Sequence, residues 1–289
     1  MIPGAFVYHR PASVADAVGL LARFGDDARP LAGGHSLIPM MKLRMAAPAH
    51  LVDLAAIGDL RGIREDGGAI VIGANVTQAE LIRSELLASR LPILRETSLQ
   101  IADPQVRSKG TIGGNVANGD PGNDMPALMQ CLDAGFVLTG PKGERTVAAR
   151  EFYHGPFMTA LGSGEMLTAV RIPARPAGHG YAYEKLKRKV GDYATAAAAV
   201  VLTIAGGRVV TASIALTNVA PTPLFAADAS KIVAGSALDA ETLKRAAAAA
   251  KAIADPATDG RGTAEYRREM TGVMVARALA KAAARAKGA

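Results

Sequence analysis

The spacing of apolar positions changes character twice along the chain and divides it into three stretches. In the first, Phe6-Val7-Tyr8 predicts a strand, a helical pattern opening near Ser13 and stopping at Gly25 predicts a helix, and Arg29 to Ala32 predicts a second strand. A glycine loop, a helix beginning near Ser36 and a strand at Leu51-Val52-Asp53-Leu54 complete a small α/β unit, expected over residues 1–56. In the second stretch, Gly62 to Ile72 reads as two strands joined at Asp66-Gly67-Gly68. Thr77-Gln78-Ala79-Glu80 reads as a capping box, in which the threonine and glutamate side chains satisfy backbone donors that a helix start leaves unpaired.

A second glycine loop is followed by an apolar helix from about Asp124, a hairpin turning at Pro141-Lys142-Gly143, and a strand from Met166 to Ile172 that Pro173 ends. This middle α/β unit is expected over residues 57–176. Pro173 to Gly180 reads as a linker, and beyond it strands near Tyr181–Leu186, Ala196–Ile204 and Arg208–Thr217 precede alanine-rich helices. A C-terminal unit of small antiparallel sheet and helices is therefore expected over residues 177–289, and the alanine-rich tail reads as helix propensity alone. The whole is α+β.

At 289 residues, with 49% hydrophobic and 20% charged, the chain has material for a core divided among subdomains. Ala194 to Ala205, the longest apolar stretch, is too short to cross a membrane and contains two threonines. The first residues lack the basic and apolar regions of a secretion signal, so a cytoplasmic location is expected. The net charge of +7 comes from scattered lysines and arginines without a zinc-finger spacing or an aromatic-basic strand motif, which argues against nucleic acid. A single cysteine, Cys131, sits in an apolar helical pattern and reads as an inert buried thiol; alone it cannot hold an iron–sulfur cluster. His35 has no second histidine at ligand spacing, so no metal is expected.

Two glycine-centred segments carry candidate chemistry. Leu31-Ala32-Gly33-Gly34-His35-Ser36-Leu37 lies between a strand and a helix, where side-chain-free positions let backbone N–H groups approach an anion and Ser36 adds a hydroxyl. Gly110-Thr111-Ile112-Gly113-Gly114-Asn115 repeats the pattern, and two such segments suit a diphosphate. Each alone is more often a turn. A Gly-x-Gly-x-x-Gly fingerprint opening a helix and a Gly-Lys-Ser/Thr phosphate loop are both missing, which disfavours a nicotinamide site of the doubly wound type and a P-loop nucleotidase.

Ala32 to Lys42 and Thr111 to Asn115 resemble the two FAD-pyrophosphate loops of the molybdenum hydroxylase flavoproteins, a family that includes xanthine dehydrogenases and carbon monoxide dehydrogenases. Asn118 to Asp124 and Gly180 to Lys189 are similar to the carbon monoxide dehydrogenase branch in particular, and the resemblance covers essentially the whole chain. It implies an FAD-binding fold of the vanillyl-alcohol-oxidase type followed by a C-terminal subdomain. By that resemblance Ala32, Gly33, Gly34, His35 and Ser36, with Thr111, Ile112, Gly113, Gly114 and Asn115, hold the pyrophosphate, and Arg29 and Leu31 flank the first loop. Asp124 accepts from hydroxyls of the FAD, Leu167 is an apolar neighbour of the flavin, Lys185 stabilises the anionic reduced ring, and Tyr193 packs against it. Each also has a plainer reading: Asp124 as the N-cap of the next helix, Lys185 as the polar face of a strand, Tyr193 as a half-buried packing residue.

The resemblance further implies an oxidoreductase assembled from several chains. An iron–sulfur small subunit and a molybdenum large subunit are the expected partners, in a dimer of heterotrimers that passes electrons through FAD to a quinone-type acceptor. Peripheral association with the inner face of the cytoplasmic membrane would follow from the complex. The flavin subunit of a hydroxylase for a xanthine or aromatic substrate, or a free-standing FAD oxidoreductase, are the alternatives; the last would need an acid–base constellation that the sequence does not display.

Overall fold

The computed structural model describes residues 2–287, which hold sheets of three, five and four strands and a two-stranded ribbon. β1 (Val7–His9), α1 (Val14–Phe24), β2 (Ala28–Leu31), α2 (Leu37–Lys42) and β3 (His50–Asp53) build the first. A helix returns the chain after each of the first two strands, so the strands lie parallel, in the order β1-β3-β2. Ser13 caps α1, its hydroxyl accepting from the Asp16 N–H at 3.1 Å. Ala17, Val18 and Leu21 share one face of that helix and pack with Val52, Leu54, Ile57 and Leu60.

β4 (Ile63–Asp66) and β5 (Ala69–Gly73) pair antiparallel around Gly67 and Gly68, whose φ values of 57° and 75° suit residues without a side chain. α3 (Gln78–Arg83) opens with the expected capping box, the Glu80 N–H donating to Thr77 Oγ1 at 3.2 Å and the Thr77 N–H to Glu80 Oε2 at 2.7 Å. Short helices follow: α4 (Glu85–Arg90), α5 (Pro92–Ser98), α6 (Pro104–Arg107), α7 (Ile112–Ala117) and α8 (Asp124–Cys131). Then come β6 (Gly135–Gly140), β7 (Gly143–Ala148), β8 (Tyr153–Gly155), β9 (Met158–Thr159) and β10 (Met166–Pro173). The five-stranded sheet runs β4-β5-β10-β6-β7 and is antiparallel throughout, so strict strand–helix alternation belongs to the first unit only.

β11 (Gly180–Leu186), β12 (Ala196–Ala205), β13 (Arg208–Thr217) and β14 (Leu224–Phe225) form an antiparallel sheet in chain order. α9 (Ala227–Val233), α10 (Ala240–Ala252) and α11 (Ala264–Lys287) complete it. One face of β12, with Ala196, Ala198, Val200 and Leu202, packs on Val275, Ala278, Leu279 and Ala282 of α11. The other, with Ala197, Ala199 and Val201, joins Leu128 and Met129 of α8 in the middle core. A strand covered on both faces needs no polar alternation, which accounts for the uninterrupted apolar run in the sequence. α11 lies so close to β11 that a Cβ on Gly180 would collide with the Ala282 carbonyl. The alanines of the tail therefore set a close helix–sheet spacing, beyond favouring a helix.

Candidate functional site

A cleft of about 580 Å³ opens where the first two units meet the start of the third. Every residue expected at the site lines it except Ile112, whose side chain is fully buried in the middle core. Ile112 lies within the second glycine segment, with its side chain packed away from the cleft.

The first segment is the turn from β2 into α2. Gly34 has φ of 75°, which an L side chain adopts only with strain. A Cβ on Gly33 would run into the carbonyl of Lys109, so this glycine also lets the two segments abut. Among the described residues, the backbone N–H groups of Gly33, Gly34, His35 and Ser36 find no protein acceptor. Ser36 stands at the N-cap of α2 without a side-chain capping bond, which leaves its hydroxyl available as well. Neighbouring donors without internal partners are what an oxyanion of a phosphate requires.

The second segment is differently built, because its sequence folds as α7. Thr111 is the N-cap, its hydroxyl accepting from the Gly114 N–H at 3.0 Å. The Ile112 N–H donates to Val76 O at 2.9 Å, Gly113 to Ala74 O at 2.9 Å and Asn115 to Thr111 O at 3.1 Å. A Cβ on Gly113 would lie 2.6 Å from that of Ala74. These glycines serve close packing, and the segment presents the cleft with a wall whose backbone donors from Ile112 to Asn115 are already engaged. Asn115 ties that wall to α8, accepting from Asn123 Nδ2 at 2.8 Å on its backbone oxygen and from the Met125 N–H at 3.2 Å on its side chain.

Asn123, not Asp124, occupies the N-cap position of α8, and Asp124 belongs to its first turn. Its carboxylate is 4% exposed as a residue and has a partner on each oxygen. Tyr183 donates to Oδ1 at 2.5 Å and Lys185 Nζ to Oδ2 at 2.8 Å. Tyr183 and Lys185 are two apart on β11 and so point to the same face. Burial pushes the Tyr183 phenol well above its ordinary value, with the Asp124 charge adding to the effect. Taking one partner away from such a buried pair leaves a costly lone charge, whereas the intact pair is close to neutral for stability.

The cleft wall also holds polar residues that sequence reading passed over. Asn75 donates to Leu54 O at 2.8 Å, yet its Oδ1 is buried without a donor. Gln78 accepts from Ser98 at 2.9 Å, yet its Nε2 is buried without an acceptor. Gln78 was legible only as part of a helix start, and nothing local marks Asn75 or Tyr183. At the mouth, Tyr193 is 42% exposed, with the Arg261 guanidinium 5.4 Å from its ring centre. Partial burial and the Asp120 carboxylate raise its phenol pKa. Leu167 contributes a buried apolar side chain from β10. Cys131 lines no part of the cleft; burial pushes its thiol up to about 12, and Sγ lies 3.2 Å from Ser213 O.

Free backbone donors at one end, orphaned amide atoms along the wall and an apolar flank near Leu167 fit a long ligand with a diphosphate and a polar heterocycle, and FAD is such a ligand. Residues 4–175 match the family of the FAD binding domain in molybdopterin dehydrogenase, and residues 181–282 match the CO dehydrogenase flavoprotein C-terminal domain. The chain is 68% identical over 99% of its length to all of the carbon monoxide dehydrogenase medium chain of Afipia carboxidovorans. It is 53% identical, over 99% of both chains, to that of Hydrogenophaga pseudoflava. Among solved structures, reconstituted CO dehydrogenase from Oligotropha carboxidovorans superposes with a TM-score of 0.98 at 67% identity, covering 99% of this chain and 100% of that one.

Proposed function

Because the chain belongs to the molybdopterin dehydrogenase FAD-binding family, we propose that it is the FAD-carrying medium subunit of a molybdenum-containing carbon monoxide dehydrogenase. The observation that carries the site assignment is the set of N–H groups from Gly33 to Ser36, unpartnered among the described residues, lining a cleft of about 580 Å³. When bound, FAD supplies a centre that takes up electrons one at a time or in pairs.

The chain's own residues bind and orient. Gly33, Gly34, His35 and Ser36 offer donors to the diphosphate, with Ala32, Arg29 and Leu31 beside them. Thr111, Gly113, Gly114 and Asn115 form the opposing wall, and Ile112 anchors that wall from behind. Asp124 keeps acceptor capacity on each oxygen beyond its bonds to Tyr183 and Lys185, enough to take a hydroxyl hydrogen of the cofactor. Lys185 holds a buried positive charge at the cleft, which favours a reduced, anionic ring over a neutral one. Leu167 and Tyr193 flank the ring and limit water.

Substrate chemistry falls to other chains in this reading: a molybdenum large subunit oxidises carbon monoxide, and an iron–sulfur small subunit relays electrons here. The complex is read as a dimer of heterotrimers that reduces a quinone-type acceptor in the cytoplasm or at the inner face of the membrane. No helix among the described residues is long and apolar enough to cross a membrane. The test is reconstitution. The isolated, flavin-loaded chain should give no carbon monoxide-dependent reduction of a quinone analogue, and adding the two partner subunits should restore it. Turnover by the chain alone would defeat the subunit reading.

A further inference from the structure

A second cavity, of about 260 Å³, shares no lining residue with the cleft. It lies where the segment leaving β10 meets the β12–β13 hairpin and Phe225 of β14. Two guanidinium groups and an imidazole converge there. Arg150 stacks 3.5 Å above the centre of the Phe225 ring, which fixes its plane. Among the described residues its one carboxylate partner is Asp133, 3.4 Å away with a side chain 59% exposed, a loose and solvated pairing. Arg175 donates through one terminal nitrogen to Leu132 O, while its Nε is buried and has no acceptor. His179 is 9% exposed; its Nδ1 lies 2.9 Å from Pro176 O, and its Nε2 is buried with no partner.

The lining groups fix the chemistry of a complementary ligand. A carbonyl oxygen only accepts, so Nδ1 of His179 carries a proton, and Nε2 of the neutral ring then has a lone pair. Arg175 Nε–H presents a donor, and Arg150 adds positive charge. The Thr203 and Thr211 hydroxyls, 2.8 Å apart, share one hydrogen between them and keep the other for a ligand. Buried groups left in this state cost stability unless something satisfies them. The complement is an anion whose oxygens accept from guanidinium and which also holds one proton to give to imidazole.

We propose that this pocket binds a singly protonated phosphate group, either inorganic hydrogen phosphate or a phosphate monoester in its protonated form. Sulfate has the same shape and also binds guanidinium, but at neutral pH it has no proton for His179.

Calorimetric titration of the flavin-loaded chain at constant ionic strength tests this, since the larger cleft is then filled. Inorganic phosphate should bind saturably at one site, and sulfate at least about tenfold more weakly, the worth of one hydrogen bond. His179→Phe should bring phosphate down to the level of sulfate while flavin content and melting temperature stay close to those of the parent. Asp133→Asn, which removes the competing carboxylate, should tighten both anions several-fold. Glycerol phosphate binding more tightly than inorganic phosphate would assign the rest of the cavity to the organic part of a monoester; weaker binding would assign the pocket to the free ion. Absence of saturable phosphate binding, equal affinity for phosphate and sulfate, or unchanged phosphate affinity in His179→Phe would each overturn the proposal.

Discussion

The two glycine segments are nearly alike as strings of letters and opposite as structures. In Gly33 to Ser36 the backbone donors face away from the protein's own acceptors, whereas in Ile112 to Asn115 each N–H is already hydrogen-bonded within the fold. Glycine confers a cradle only where a strand-to-helix turn leaves its donors without partners. Elsewhere it confers nearness: Gly113 against Ala74 brings α7 against the end of β5. The first segment is thus open and the second closed, and the closed one extends through Asn115 and α8 to the buried Asp124–Lys185 pair.

The largest effect that would break this contrast is expected on the closed side. Lys185→Met leaves Asp124 buried beside a neutral chain and should lower stability by about 3–5 kcal/mol, with Asp124→Asn in the same chain recovering most of it. Thermal unfolding of the single and double variants measures this; a single variant as stable as the parent would mean that the pair does not anchor the wall. Next come the glycines. Gly113→Val should cost about 1–3 kcal/mol through overpacking, with bound flavin falling only in proportion to unfolded protein. Gly33→Val should abolish flavin binding in chains that still fold, because it parts the two segments at the cradle. Flavin occupancy against folded fraction separates the two, and identical behaviour would erase the distinction.

Thr111→Val removes the cap of α7 and should cost about 1 kcal/mol of stability, read from denaturant midpoints. Ser36→Ala is the mildest. It should leave stability within about 0.5 kcal/mol, because its hydroxyl has no partner among the described residues, yet weaken FAD binding roughly tenfold if that hydroxyl meets a phosphate oxygen. Unchanged flavin affinity in Ser36→Ala would remove the hydroxyl from the cradle.

What the sequence discloses about this fold is what a few neighbouring residues decide. Ser13 and Gly25 bound α1, Asp66-Gly67-Gly68 turns β4 into β5, and Thr77 with Glu80 starts α3, all within one turn of chain. The helical state of Ile112–Ala117 is not legible, since two adjacent glycines oppose a helix by about 1 kcal/mol each, and the Thr111 cap together with contacts to Ala74 and Val76 offsets this. The sequence leaves the cap of α8 open, because Asn123 and Asp124 are both competent caps and only the backbone decides between them. Tyr183 carries no local signal, because its partner Asp124 lies far away in sequence. Gly33, by contrast, was found for half its reason: nothing in the sequence says that it touches Lys109. The residues lining the cleft follow from the resemblance, while the difference between its two walls follows only from tracing each N–H.

The close seat of α11 on β12 bears on how the chain is made. Translation proceeds from the N-terminus at about 5–20 residues per second, so the four strands from Gly180 to Phe225 leave the ribosome seconds before the helix that covers them. During that interval the face of Ala196, Ala198, Val200 and Leu202 is bare. Half of those side chains are single methyl groups, which offer other nascent chains little to adhere to. The small residues that permit tight closure in the finished protein also keep the unfinished sheet from being sticky, and the same alanines serve both the birth of the chain and its maturity.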